Sequence, residues 1–136
     1  MAVLARQMDA WEPRVLSIVR IMTGLLFMEH GLSKLFNFPA PFPGGQPTMS
    51  QLLWFAGVIE TVGGLLLAVG LFIRPVALIM SGEMAIGYFY AHNPKSFFPL
   101  MNGGDGAILY CFIFLYFFVA GGGAWSVDRF RTAGRV

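Results

Sequence analysis

Four long apolar runs, separated by short polar or proline-rich stretches, constrain this chain more than any other feature. They cover about 14–36, 51–72, 75–92 and 105–123. A helix crossing hydrocarbon needs ~20 predominantly apolar residues, and each run is about that long. The chain is 57% hydrophobic and 12% charged, with a mean hydropathy of +0.68. A soluble domain carries roughly 25% charged residues, so too little polar surface exists here to face water. Lipid removes that need. The expected fold class is all-α: an integral membrane four-helix bundle, with residues 1–136 forming one domain. A soluble bundle of unusual apolarity is the weaker alternative.

Local signals place the boundaries. Residues 1–13 are polar and mixed, and Pro13 suits the first turn of a helix. Residues 37–50 hold four prolines and a Gly-Gly pair, which no helix crosses. That loop ends in Thr48-Met-Ser-Gln51, a pattern that fits a capping box. Arg74-Pro75 leaves a two-residue connection, so the second and third helices should form an antiparallel hairpin. Residues 93–104 form a second loop, and Trp125 reads as an interfacial anchor before a polar, basic tail. The first run lacks a small-x-small cleavage site and is expected to be retained as a helix.

Four crossings would put both termini and the second connection on one side. Those segments carry Arg6, Arg14, Arg74, Arg129, Arg131 and Arg135, against Lys34 and Lys95 opposite. The positive-inside rule then places both ends in the cytoplasm. The net charge of +2 is too small and scattered for a nucleic-acid footprint. The one cysteine, Cys111, can form no internal disulfide and should be an inert small hydrophobe.

Ionisable groups inside the runs carry the functional signal. Each costs ~2.5–3.5 kcal/mol near a bilayer centre on insertion scales, so each should face the interior and find a partner. At 1.5 Å per residue, Arg20 lies about 9 Å from the inner end of the first helix and Glu83 about 12 Å from that of the third. Matching depth and opposite charge predict an Arg20–Glu83 ion pair, a structural pair that fixes helix register. Glu60 is a rival for Arg20, or a partner for the Glu29, His30 and Lys34 group. His30 and Lys34 share a face, and His92, Asn102 and Asp105 lie at the outer ends of the last two helices. The outer half should hold a polar pocket, roofed by the two loops. Arg20, Glu29, His30, Lys34, Glu60, His92, Asn102 and Asp105 are its candidate ligand-binding residues.

Other readings are weaker. Gly57, Glu60, Gly64 and Ala68 form one stripe, and Gly24 and Gly31 another; both read as packing seams. Phe112, Phe114, Phe117 and Phe118 read as lipid contacts rather than a quinone site. The histidines and acids lack the i, i+3 or i, i+4 pairing of a helical metal site, so no metal is expected. Haem ligation by His30 and His92 is a weak possibility.

Three segments resemble the DoxX family of small four-helix bacterial membrane proteins. Arg20-x-x-x-Gly24 with His30-Gly31-x-x-Lys34-Leu35 is similar to its first-helix pattern. Glu60-x-x-Gly63-Gly64-x-Leu66 followed by Gly70-Leu71-x-x-Arg74 is similar to its second. Asn102-Gly103-Gly104-Asp105 and Gly121-x-Gly123-x-Trp125-Ser126-x-Asp128-Arg129 resemble the bounds of its last helix, with Asp105 where Glu would be expected. The resemblance implies a bacterial inner-membrane protein, an accessory subunit of a quinone-linked respiratory or redox complex. A quinone is then the expected ligand, and lipid, a larger membrane complex or a second copy the expected partners. No catalytic residue is identified. A purely structural membrane adaptor or assembly factor without a ligand is the alternative, and a small transporter ranks last because no inverted repeat is visible.

Overall fold

The computed structural model describes residues 1–49 and 51–134. Arg135, counted above among the inward charges, and Ser50, in the first loop, lie outside the described residues. Helix α1 runs Ala2–Phe36, α2 Leu52–Val69, α3 Ile73–Gly87 and α5 Asp105–Ala120. Short helices α4, Pro99–Asn102, and α6, Val127–Ala133, lie between and after them. No strand occurs among the described residues.

Helix α1 begins well before the expected Arg14. Ala, Leu, Arg, Gln and Met dominate residues 2–8 and are strong helix formers, and Pro13 interrupts only its own donor. The helix has 35 residues, a length of roughly 50 Å. It stops at Asn37, whose left-handed backbone (φ 56°) returns its N–H to the carbonyls of Leu32 and Ser33. Helix α2 stops in the same way at Gly70 (φ 79°). The expected capping box is displaced: the Gln51 carboxamide oxygen accepts from Thr48 N–H at 2.9 Å, but this turn precedes α2. Helix α3 continues into a π-helical turn at Tyr88–His92, so the expected end at His92 holds although the winding widens.

Helices α1 and α2 pack antiparallel through the expected glycine seams. A Cβ on Gly24 would lie 2.7 Å from the Gly64 carbonyl, and one on Gly31 2.6 Å from that of Gly57. No side chain fits there, so backbone meets backbone. Helix α3 packs along α5, where Ser81 Oγ donates to the Cys111 carbonyl at 2.9 Å. Between the helices a small core forms from Phe27, Leu67, Ile73, Ala77, Met80, Phe114 and Phe117. Phe114 and Phe117 are thus core residues rather than the surface contacts expected of them, whereas Phe112 is exposed.

Much apolar surface stays uncovered. Val15, Ile18, Val19, Met22, Leu25 and Leu26 run along α1 at 40–50% exposure, and Leu109, Phe112, Tyr116 and Val119 on α5 are exposed to 53–65%. Patches this extensive on a soluble monomer would be unusual. Among the described residues two helices are long and apolar enough to cross a membrane: α1, over Arg6–Phe36, and α2; α5 is apolar but shorter.

The segment after α5 returns to the start of the chain. Ala124 N–H donates to the Pro13 carbonyl at 2.8 Å, and Asp128 N–H to the Gly70 carbonyl at 3.0 Å. Pro13, the α2–α3 turn and residues 122–128 therefore gather at one end of the molecule.

Candidate functional site

The glycine seam that joins α1 to α2 also positions the first charged pair. Glu60 lies on the same stripe as Gly57 and Gly64, so it faces α1 across the close approach. Lys34, near the end of α1, meets it: Nζ lies 2.5 Å from Glu60 Oε1. Both side chains are buried, Glu60 to 2% exposure. Such a pair persists in a low dielectric only where the geometry is close, because desolvating two ions is expensive. The Lys34 ammonium also sits 5.5 Å from the centre of the Phe42 ring, contributed by the first loop.

This pair lies on the wall of a cavity of about 690 Å³ among α1, α2, α3 and α5. Its lining is mainly apolar and aromatic, with Phe27, Phe42, Phe55, Ile59, Tyr90 and Tyr110 among its residues. His30, His92 and Glu83 complete the ionisable part of the wall. His30 Nδ1 is within 2.9 Å of the Leu26 carbonyl, and its ring lies edge-on to Tyr110. His92 Nδ1 is 3.0 Å from the Asn102 carbonyl, and its ring stacks on Tyr88. Glu60 Oε2 and Glu83 Oε2 are buried and have no hydrogen-bond partner, the only such side-chain atoms among the described residues. Buried polar atoms are nearly always paired, so two unused carboxyl oxygens on one cavity wall mark the place where a polar ligand group would be bound.

The structure brings together His30, Lys34, Glu60 and His92 of the expected set and separates the rest. Glu29 and Asp105 are exposed and lie outside the lining. Asn102 is buried but spent on the chain itself: its amide donates to the Ser96 carbonyl and Tyr88 Oη, and its oxygen accepts from Gly104 N–H at 2.7 Å. It shapes the turn into α5 and leaves nothing for a ligand. Of the two loops expected as a roof, the first supplies Phe42 and the second only Gly103; Phe97 and Phe98 are exposed. Among the described residues no group of three His, Cys, Asp or Glu side chains is placed to hold a metal.

The Arg20–Glu83 ion pair does not form. Arg20 is fully buried toward the other end of the molecule. Its guanidinium donates to the carbonyls of Leu67, Ala68 (2.9 Å), Gly122 (2.9 Å) and Trp125 (2.6 Å). These are carbonyls at the end of α2 and in the segment after α5, left free because helix ends lack internal partners. Depth matching considered only side chains and so missed them. Glu83 instead shares its surroundings with Glu60 and Lys34.

Two residues that the sequence reading left without a structural task join this second cluster. Ser17 Oγ accepts from Trp125 N–H and donates to the Pro13 carbonyl, both at 2.9 Å. Asp128 places one carboxyl oxygen on Phe72 N–H and the other on Ile73 N–H, each at 2.9 Å. It therefore caps α3 from a distant part of the chain, where a negative charge also suits the helix dipole. The pattern Ser126-x-Asp128 was visible; that its acid reaches the first amides of another helix was not.

The DoxX family model matches residues 15–93 of this chain. An uncharacterized protein of Haemophilus influenzae is 42% identical over 126 residues, which cover 90% of this chain and 94% of that protein. An uncharacterized membrane protein of Mycobacterium tuberculosis is 29% identical over 142 residues, covering 91% of this chain and 85% of its own. No solved structure gives a significant match.

Proposed function

The chain belongs to the DoxX family, and from that premise we propose that it is a multi-pass inner-membrane protein whose cavity binds a quinone head group for a larger redox complex. Helices α1, α2, α3 and α5 would be the four crossings, with both termini cytoplasmic. The gathering of Pro13, the α2–α3 turn and residues 122–128 at one end supports that arrangement, and Arg6, Arg14, Arg74, Arg129 and Arg131 lie in or beside those segments. The cavity then lies toward the outer half.

One observation carries the ligand assignment: a buried, ion-paired Lys34 and Glu60 on the wall of an apolar cavity, with Glu60 Oε2 unused. Ligand pockets are typically of roughly 300–1,000 Å³, mostly apolar, with a few convergent polar groups. A quinone head group matches both requirements, being a flat ring with polar atoms at opposite edges. Lys34 Nζ would donate to one of its oxygens and Glu60 Oε2 would accept from a hydroxyl of its reduced form. Phe42, Phe55 and Tyr110 would flank the ring and keep water out. A bound quinone supplies two-electron redox chemistry; the protein's part is to hold it, and the subunit itself needs no catalytic group.

Titration of the detergent-purified protein with a short-chain quinol under argon, followed by tryptophan fluorescence, tests this. Trp54 stands on α2 between cavity residues Leu53 and Phe55. Saturable quenching is expected, weakened about tenfold in Glu60→Gln, as befits loss of a charged hydrogen-bond partner. Absence of saturation, or the same affinity in Glu60→Gln, refutes the assignment.

A further inference from the structure

Glu83 is the carboxyl group of the cavity that the quinone reading leaves without a task. It enters from α3, and its Oε2 is buried without a partner. Its ionisable neighbours on the wall are Lys34 and His30 from α1, Glu60 from α2, Tyr90 and His92 from the π-helical turn, and Tyr110 from α5. Lys34 is committed to Glu60, and the Nδ1 atoms of His30 and His92 are committed to backbone carbonyls. Glu60 is tied through its other oxygen. Glu83 has no ion pair among the described residues.

A carboxyl group is an acceptor when ionised and a donor when protonated. The two redox forms of a quinone differ in the complementary way, since the oxidised form presents carbonyl acceptors and the reduced form hydroxyl donors. We propose that Glu83 is the residue through which the cavity distinguishes these forms, donating from its protonated carboxyl to a carbonyl and accepting with its carboxylate from a hydroxyl. The inference rests on the quinone reading and deepens it. The balance is simple: when the oxidised form binds to ionised Glu83, the carboxylate takes one proton from bulk water and shares it with the carbonyl. When the reduced form binds, Glu83 stays ionised and no proton is taken up. No electron moves in either case.

Affinity for the two forms must then respond oppositely to pH. Rising pH removes the proton from Glu83, which weakens binding of the oxidised form and favours the reduced one. The experiment measures the affinity of a short-chain ubiquinone analogue and of its quinol, under argon, in buffers from mildly acidic to mildly alkaline. The quantity read is the dissociation constant of the oxidised form divided by that of the reduced form. In the unaltered protein this ratio should rise with pH, by up to roughly tenfold per pH unit where Glu83 titrates. In Glu83→Gln it should be flat, because a carboxamide offers a fixed donor and a fixed acceptor.

A flat ratio in the unaltered protein overturns the inference, as does a slope that survives in Glu83→Gln. If Glu83→Gln does not elute as a monodisperse species, the variant His30→Gln/His92→Gln decides. A retained slope supports Glu83, and a lost one transfers the role to a histidine. Binding of both forms with a flat ratio would remove the Glu83 assignment alone. Failure of both forms to bind would remove the quinone reading and this inference with it.

Discussion

Lys34 and Glu60 are each costly to bury and acceptable only together. Removing one partner of a buried pair costs about 3–5 kcal/mol, because the other charge is left uncompensated, whereas replacing both with apolar residues is often close to neutral. Lys34→Met should therefore lower the apparent melting temperature in detergent markedly, and Lys34→Met/Glu60→Leu should recover most of the loss. A double variant no more stable than the single one would show that the two charges are not coupled. The sequence made the members of this pair visible, since Glu60 is the one charge in its run and Lys34 is among the groups of the first helix that it could meet. It hid the partners of Arg20, because those are backbone carbonyls exposed by helix ends, which residue types do not reveal. Glu83 was misassigned for the same reason: once Arg20 is satisfied elsewhere, Glu83 is left to the cavity.

Helices pack here according to where side chains are absent. Gly24 and Gly64 each bring the other's carbonyl within 2.7 Å of where a Cβ would stand, so either glycine carries the α1–α2 approach. Gly64→Val should push the helices apart, lengthen the Lys34–Glu60 contact and open the cavity wall. The expected outcome is loss of quinol quenching together with a lower melting temperature, whereas Leu65→Val, on an exposed face, should alter neither. An unchanged titration in Gly64→Val would contradict the seam. These seams were legible because small residues recur at helical spacing. The extension of α1 before Pro13, and helices α4 and α6, were not, since short polar segments give no periodic signal and depend on contacts elsewhere. Ser126 does cap α6, accepting from Arg129 N–H at 3.3 Å, but α6 is held in place by Asp128.

For the molecule as a whole, the small core and the wide apolar exterior belong to a chain in contact with lipid, as its family membership requires. Its proposed orientation makes a direct prediction. In a Cys111→Ala background, Gly45→Cys and Ser96→Cys should react with a membrane-impermeant maleimide in intact cells. Thr132→Cys should react only after permeabilisation; labelling of Thr132→Cys in intact cells would reverse the orientation. Membrane residence was the most legible property of all, because charge density and run length report it without reference to contacts. The contact between Arg20 and the segment after α5 has a bearing on biogenesis. Its guanidinium reaches the carbonyls of Gly122 and Trp125 across more than 100 residues of chain. Helix α1 must therefore wait while more than 100 further residues are translated before its arginine is fully solvated by protein. The latch on α1 is made of residues that emerge long after it, so a transcript cut short before Gly122 would strand a bare cation among the inserted helices and hand the fragment to quality control.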